Sequence, residues 1–247
     1  MNYDNTFSME KYFQKNYGLP AKPQAYKFKK KPFLILILFC WIWIPLAILG
    51  KMRANKMIKA WEDAFEYRRM NWPYEYDEAL NKAFKDMKLY ESALKKIGVV
   101  EEELKGERGS GIEPFYISGS LFDGFWRKSE MGTYRTSRRE YTYVVCTNDQ
   151  VFFYRRILDL LDLERKKEST LEFFYSDITS VNISTASVAP RNAEADSDEK
   201  PEELDVESFV LVVPGDKISM AFETNEYADA SIKGMRNLIR DKKTGKA

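Results

Sequence analysis

Four aspartates in the C-terminal half, Asp123, Asp159, Asp162 and Asp177, are the side chains that could transfer protons or hold a metal ion. Their spacing matches no recognisable catalytic arrangement. The chain contains no histidine, so Ser-His-Asp and Cys-His catalysis and histidine metal ligands are excluded. We therefore predict a protein that is not an enzyme, with no metal site and no cofactor.

Charge and cysteine content restrict the partners and the compartment. The net charge is +1 with 31% charged residues, so nothing in the overall balance favours nucleic acid, although local basic patches remain possible. Cys40 lies inside a long apolar stretch, which disfavours a disulfide with Cys146. Two unpaired thiols are typical of a reducing compartment.

A basic–apolar–basic segment spans residues 27–56, and residues 33–50 within it carry no charge. Eighteen helical residues rise about 27 Å, close to the roughly 30 Å hydrocarbon core of a bilayer. A helix is the form in which a single stretch pairs all its backbone groups in lipid. The segment starts too late and is too long for a signal peptide. A buried core helix is the alternative, which apolar residues on every side disfavour. We predict a transmembrane or deeply inserted helix.

Basic residues flank this segment on both sides, so the positive-inside rule gives a nearly balanced orientation. We predict that the large C-terminal part is cytoplasmic. The flanking cations suit anionic headgroups, at about 1 kcal/mol per charge near the surface, and ordinary flanking charge is the alternative. The candidate membrane-proximal residues are Lys29, Lys30, Lys31, Lys51, Arg53 and Lys56.

The rest of the N-terminal half is predicted to be helical. Apolar residues recur at helical spacing over about 51–70 and 76–97, and Asn71-Trp72-Pro73 predicts a break between them. Gly98 is a plausible C-terminal stop. These helices form either a packed hairpin or a stalk that self-associates or lies on the membrane surface. The predicted organisation is a polar, flexible or partly ordered arm (1–32), a membrane segment (33–50), a helical hairpin (51–105) and a linker (106–111).

The pattern changes to that of strands after residue 112. Stretches rich in β-branched and aromatic residues alternate with turn chemistry at Asn148-Asp149 and Pro214-Gly215-Asp216. Asn225 can cap a final amphipathic helix over about 226–241, and 242–247 is a tail. The acidic stretch 186–205 is predicted to be a mobile loop, because it has too few apolar residues to order itself. The fold class is therefore α+β.

Two stretches resemble bacterial pleckstrin-homology-like (PH-like) domains and their GRAM relatives. Tyr143-Val144-Val145-Cys146-Thr147-Asn148-Asp149-Gln150-Val151-Phe152-Phe153-Tyr154 is similar to a strand-turn-strand of that family, and Phe174-Tyr175-Ser176-Asp177-Ile178-Thr179-Ser180-Val181 is similar to its Tyr-Ser-Asp-Ile segment. We interpret Phe174, Ile178 and Val181 as apolar anchors of the fold. The resemblance covers 112–241. It implies a seven-stranded, strongly bent antiparallel sheet or barrel capped by the C-terminal helix, and binding or scaffolding without catalysis.

The resemblance also implies where a ligand would bind. Many eukaryotic members bind phosphoinositides through basic residues between the first two strands, which corresponds to residues 123–140 here. The usual spacing of basic residues is not reproduced, so generic anionic-lipid contact and plain solvated charge are the alternatives. The candidate headgroup or partner-binding residues are Trp126, Arg127, Lys128, Arg135, Arg138 and Arg139.

Together these patterns predict a membrane-anchored adaptor or scaffold. Its PH-like domain would contact membrane lipids or recruit a protein partner at the bilayer. The alternative is a structural protein that self-assembles, as a homo-oligomer, through its membrane and stalk helices. No nucleic-acid partner is predicted.

Overall fold

The computed structural model describes residues 3–25, 36–100, 104, 112–128, 132–165, 167–188 and 203–244, and of residues 36–47 it describes the backbone alone. The chain divides into two compact units, Met1–Glu78 and Ala79–Ala247. Several predicted features lie outside the described residues: Lys29, Lys30 and Lys31, the linker 106–111, residues 189–202 of the acidic loop, and 245–247 of the tail.

The N-terminal arm contains two short helical elements. α1 is Met9–Phe13 and a 3-10 turn follows at Lys15–Gly18. The hydroxyl of Ser8 caps α1 by accepting a hydrogen bond from the backbone N–H of Lys11. Three aromatic side chains of the arm, Tyr12, Phe13 and Tyr17, are buried.

An aromatic cluster packs the arm against α2, the helix Leu36–Asp86. The Tyr12 ring stacks on Tyr76 with centroids 5.2 Å apart, and Tyr17 meets Trp72 edge-on at 5.9 Å. Such contacts add about 0.5–1.5 kcal/mol to the burial of each ring. Trp72 and Tyr76 are four residues apart, so these two contacts fix the arm along about one turn of the helix.

Arg68 is buried within this cluster, with 3% of its surface exposed. Its guanidinium donates hydrogen bonds to the carbonyl oxygens of Tyr17, at 2.6 Å, and Asp4. It also lies 4.6 Å from the ring centroid of Trp72. Burial lowers the pKa of Arg68, and the nearby Asp4 carboxylate opposes that effect. The side chain therefore ties two parts of the arm to α2.

α2 is continuous through Asn71-Trp72-Pro73, so the predicted break there is wrong, and so is the predicted helical hairpin over 51–105. A proline inside a helix costs about 3 kcal/mol. Trp72 and Tyr76 are almost fully buried, and burying one such ring contributes roughly 4–6 kcal/mol at about 25 cal/mol per Å². Packing against the arm thus outweighs the local signal from Pro73.

α2 ends shortly before a second, much shorter helix. Lys88 has a left-handed backbone with φ of 44°, and α3 follows at Leu89–Ile97. Gly98, with φ of 78°, ends α3 and donates its N–H to the carbonyl oxygen of Leu94 at 2.9 Å. The predicted stop at Gly98 is confirmed.

Within the part of the chain whose side chains are described, no helix combines the length and the apolar character needed to cross a membrane. The predicted membrane segment 33–50 falls mostly outside that part, since residues 33–35 are not described and 36–47 are described by their backbone alone. The membrane segment therefore stays a prediction.

The described residues of the second unit form seven strands in two antiparallel sheets. One sheet has the order β1-β2-β3-β4 and the other β5-β6-β7. The coarse prediction, an α+β chain with antiparallel sheets followed by a C-terminal helix, is confirmed. The strands are Phe115–Lys128 (β1), Tyr134–Cys146 (β2), Gln150–Asp159 (β3), Lys167–Phe174 (β4), Ser180–Val188 (β5), Leu204–Val213 (β6) and Asp216–Ala221 (β7).

The two sheets approach each other closely where β1 passes the end of β7. The N–H of Glu223 donates to the carbonyl oxygen of Ser118 at 2.8 Å. A Cβ atom built on Gly119 would lie 2.5 Å from the backbone carbon of Ala221 and from the backbone nitrogen of Phe222. Only glycine fits at this crossing without moving one of the strands.

The end of α2 and all of α3 cover the outer face of the first sheet. The Phe84 ring lies 4.7 Å from that of Tyr141, and the Tyr90 ring 5.6 Å from that of Tyr143. Arg156 of β3 donates to the carbonyl oxygen of Met87 at 3.0 Å. β2 is consequently buried on both faces over its second half.

The C-terminal helix α4, Glu226–Thr244, packs on the inner face of the sheets. Asn225 caps it as predicted, because its side-chain oxygen accepts the N–H of Ala228 at 2.9 Å. The core residues of α4 lie one helical turn apart and meet apolar residues of both sheets. They are Ala228, Ile232, Met235 and Ile239.

Most turns lie where the sequence predicts them, but the bounds of the acidic loop and the burial of Phe174 need correction. The acidic loop is shorter than 186–205, because β5 extends to Val188 and β6 begins at Leu204. Phe174 is not a core anchor: 53% of it is exposed, whereas Tyr175 is buried and donates its hydroxyl to the Thr147 carbonyl oxygen at 2.7 Å. Tyr175 begins the 3-10 turn Tyr175–Asp177, which follows β4 directly.

Candidate functional site

The outer end of the β1–β2 hairpin brings together four of the six candidate residues. Trp126 is opposite Thr136, Arg127 opposite Arg135, and Lys128 opposite Tyr134. Like charges directly opposite each other on antiparallel strands are unfavourable unless solvent or an anion separates them. We call Trp126, Arg127, Lys128 and Arg135 the hairpin tip; residues 129–131 between the strands are outside the described residues.

Aromatic side chains accompany the cations of the hairpin tip. The Trp126 ring lies 5.8 Å from that of Tyr134, and the Lys128 ammonium nitrogen 5.2 Å from the Tyr134 ring centroid. Phe125 next to them is 40% exposed. The indole N–H of Trp126 has no hydrogen-bond partner in the described structure. Aromatic rings beside cations suit the interface between water and a lipid surface.

A wide bulge in β1 separates the hairpin tip from the other two candidates. The strand register shifts between Leu121 and Trp126. In the bulge, the N–H of Phe125 donates to the Ser137 hydroxyl at 3.0 Å, and a Cβ on Gly124 would lie 2.7 Å from that hydroxyl oxygen. The bulge thereby presents Asp123 towards β2.

Arg138 and Arg139 are each engaged by carboxylates of this chain. Arg138 pairs with Asp123 of the bulge and lies 3.6 Å from Asp159 of β3. Arg139 pairs with Glu223 at 2.6 Å, and Glu223 also accepts a hydrogen bond from the Ser120 hydroxyl at 2.6 Å. An anionic ligand at either arginine would have to displace these carboxylates.

A buried ion pair at the same corner has no counterpart in the sequence-based site. Glu140 accepts from the Arg155 guanidinium at 2.6 Å and from the N–H of Ala221 at 3.0 Å, with only 4% of its side chain exposed. It joins β2 and β3 to β7 and so holds the two sheets together. The pair borders a cavity of about 620 Å³ that is also lined by Ser120, Leu121, Phe122, Asp123, Val188, Val206, Ser208, Ser219 and Ala221.

The structure gives the aspartates roles in local structure. Asp123 and Asp159 share Arg138, and Asp177 accepts a hydrogen bond from the Ser176 hydroxyl at 3.1 Å. Asp162 forms no ion pair with any described residue. Within the described residues no group of three acidic or cysteine side chains is placed to hold a metal ion.

The membrane-proximal candidates that are described lie on α2, in the first unit. Lys51, Arg53 and Lys56 are all exposed there. They can meet an anionic surface without rearrangement.

Comparison with known proteins adds no assignment: no family model, no curated protein and no solved structure matches this chain.

Proposed function

We propose that this chain is a membrane-anchored binding module that is not an enzyme. Its second unit would be a PH-like domain that contacts anionic lipid or recruits a protein partner at the bilayer, on the cytoplasmic side. The observation that carries the proposal is the order of seven antiparallel strands, four in one sheet and three in the next, followed by a helix that packs into their core. This is the arrangement that the resemblance over 112–241 implies.

The hairpin tip supports lipid contact in particular. It combines three cations with Trp126 and exposed Phe125. Arginine suits phosphate because its planar fork binds two oxygens at once. Tethering by residues 33–50 would raise the local concentration of lipid around the tip, so a weak contact there suffices.

Lipid contact is tested with the full chain in vesicles with and without phosphatidylserine. A polarity-sensitive dye is attached to a Thr133→Cys variant that also carries Cys40→Ser; Cys146 is buried and stays unlabelled. We expect the dye signal to report bilayer contact when phosphatidylserine is present. The doubly reversed variant Arg127→Glu/Arg135→Glu should lose that signal.

The control variant is Lys95→Glu/Lys217→Glu, which makes the same charge change at exposed positions outside the hairpin tip. It should keep the phosphatidylserine-dependent signal. Equal signals from both variants would refute lipid contact at the tip.

The anchor is tested separately, by extraction of membranes at alkaline pH. The chain should stay in the membrane fraction, and Leu38→Lys/Ile42→Lys should release it, because each charge at the centre of a spanning helix costs about 2.5–3.5 kcal/mol. Release of the unaltered chain would refute the anchor.

Self-assembly through α2 is the second candidate. Tyr67, Met70 and Tyr74 are 43%, 57% and 77% exposed, at spacings of three and four residues along one side of the helix. Such a stripe can pair with a second copy. Mass measurement in detergent tests this: Met70→Glu should convert an oligomer into a monomer, and a monomeric unaltered chain would exclude it.

A further inference from the structure

A groove runs between the start of β5 and the C-terminal half of α4. It has a volume of about 550 Å³. Its lining residues are Thr179, Ser180 and Val181 at the strand end, and Lys233, Arg236, Asn237, Ile239, Arg240, Lys243 and Thr244 on the helix. None of them belongs to the hairpin tip.

Four cations form a row along this groove. Lys233, Arg236, Arg240 and Lys243 are separated by three, four and three residues, so they lie on one side of α4, and all four are exposed. At a rise of about 1.5 Å per residue the row is about 15 Å long. Residues 233–244 contain five basic residues and one acidic residue, a net charge of +4.

Little of this charge is neutralised by the chain itself. Lys233, Arg236 and Lys243 have no ion-pair partner among the described residues. Arg240 donates to the Asn237 side-chain oxygen at 3.2 Å and lies 3.9 Å from the Asp241 carboxylate, with 71% of its side chain exposed. This contrasts with Arg138 and Arg139 on β2, which carboxylates engage closely.

Stabilisation of the helix itself does not account for the row. Cations favour the C-terminal end of a helix, but that effect is confined to about the last turn. Lys242 and Lys243 fall in that turn. Lys233 and Arg236 are about three and two turns from the end, respectively, so they gain nothing from the helix dipole.

The shape and the chemistry of the groove favour an extended protein segment over a bilayer. A helix that lies on a membrane has large apolar residues beside its cations. On α4 the only exposed large apolar residue is Tyr227, in the first turn, away from the row. The floor of the groove is recessed, since Ile239 is 6% exposed. A single phosphate is also much shorter than the row.

We infer that the groove between β5 and α4 is a docking site for an extended acidic segment of a partner protein. On one side of an extended chain, alternate side chains recur about every 6.6–6.8 Å. The cations of the row recur about every 4.5–6 Å along the helix, so three carboxylates at alternate positions, about 13 Å from first to last, would span most of the row. The hydroxyls of Thr179 and Ser180 can donate to the same carboxylates.

This inference rests on the protein-recruitment half of the proposed function and supplies the chemistry of the partner. Exposed ion pairs are individually weak and are screened by salt. The docking should consequently be weak and strongly dependent on ionic strength, and the membrane anchor would compensate by concentrating the groove at one surface.

The test uses the full chain in detergent and a fluorescein-labelled nonapeptide of alternating glutamate and serine, followed by fluorescence anisotropy. Arg236→Glu/Arg240→Glu should weaken binding about tenfold or more, since it removes two pairs and adds two repulsions. The control Lys95→Glu/Lys217→Glu should bind within about twofold of the parent. A peptide with glutamine in place of glutamate should not bind.

Three results would overturn the inference. The first is unchanged peptide binding by the groove variant, and the second is an equal loss in the control, which would mean attraction to net charge alone. In the third, the groove variant loses contact with phosphatidylserine vesicles but keeps its peptide affinity, which would make the occupant a bilayer. Loss of peptide binding in the groove variant alone, with the control variant unchanged, would support the groove even if lipid contact at the hairpin tip failed its own test.

Discussion

Gly119 offers the sharpest test of how the two sheets meet. Replacing it with alanine adds one methyl group where β1 passes β7. That carbon would lie 2.5 Å from two backbone atoms, the carbon of Ala221 and the nitrogen of Phe222. Neither atom can rotate away, so the strands themselves must separate.

The size of the effect follows from these distances. Ordinary contact begins at 3.4 Å, so the strands must part by about 0.9 Å. That displacement would stretch the Glu223–Ser118 backbone hydrogen bond from 2.8 Å beyond hydrogen-bonding range. Overpacking costs about 1–3 kcal/mol and a lost hydrogen bond about 1 kcal/mol. We expect Gly119→Ala to lower the free energy of unfolding by about 3 kcal/mol.

The buried thiol of Cys146 provides the assay. It is 2% exposed, and burial raises its pKa to about 12, so a thiol reagent reaches it only when the unit opens. In a Cys40→Ser background, the labelling rate then follows the opening equilibrium. A loss of about 3 kcal/mol should accelerate labelling by a factor of roughly 150.

Gly234→Ala is the matched control, because it makes the same chemical change with the opposite expected sign. Its added methyl would have Ile112 as nearest neighbour at 3.9 Å, an ordinary contact. Alanine also exceeds glycine in helix stability by about 1 kcal/mol, so labelling should slow about fivefold. If Gly119→Ala labelled as slowly as the parent, the close approach of the two sheets would be refuted.

Three further predictions concern side chains inside the two units. Arg155→Met should cost about 3 kcal/mol in denaturant unfolding, because it strands the buried Glu140 carboxylate, and adding Glu140→Gln should restore most of the loss. Burial, and to a smaller extent a hydrogen bond to a carboxylate, raises the pKa of Tyr154 to about 12, above its value near 10 in the unfolded chain. The free energy of unfolding should therefore fall as pH rises from about 10 to 12, and Tyr154→Phe should reduce that fall. Arg68→Lys should loosen residues 3–25 and speed their cleavage by trypsin, since lysine cannot reach both carbonyl oxygens.

Each of these three has a result that would contradict it. For the ion pair, the contradicting result is that the double variant Arg155→Met/Glu140→Gln is less stable than Arg155→Met alone. For Tyr154, it is a free energy of unfolding that falls as steeply above pH 10 in Tyr154→Phe as in the parent. For the arm, Arg69→Lys is the control, because Arg69 pairs with Glu66 at an exposed position on α2; equal cleavage in both lysine variants would remove the special role of Arg68.

The elements that sequence predicts well are those determined by neighbours in the chain. The strands of the second unit, the glycine turn at Gly215, the Asn225 cap and the α4 stripe all depend on residues within one or two turns of each other. The end of α3 at Gly98 belongs to the same class. Periodicity and turn chemistry suffice there because they act locally.

Errors arise where distant residues decide the outcome. Pro73 sits in a continuous helix because Trp72 and Tyr76 pack on an arm some 60 residues earlier, as in the Trp72–Asn5 hydrogen bond with a separation of 67. The helical cover on the outside of β2 depends likewise on Phe84 meeting Tyr141. Composition and periodicity cannot predict such contacts, because they describe only residues that are close in the chain.

In the candidate site, too, contacts between distant residues decide what the sequence cannot predict, and there they bear on function. The five basic candidate residues between 123 and 140 are equivalent in the sequence. In the structure, however, Arg139 is paired with Glu223 at a separation of 84 residues, whereas Arg127 and Arg135 face each other at the hairpin tip. A cation held by a distant carboxylate ties sheets together, and its removal would damage the fold before it could report on a ligand.

Mutagenesis for function should therefore begin with the hairpin tip and the row on α4. Charge reversal at Arg236 and Arg240 removes no contact that holds the sheets, since both side chains are exposed and point along the groove edge of the helix. Reversal at Arg139 would expose Glu223 and Ser120 to repulsion at the corner where β1 meets β7. A binding defect in the first case would identify a partner surface, whereas a defect in the second would be indistinguishable from unfolding.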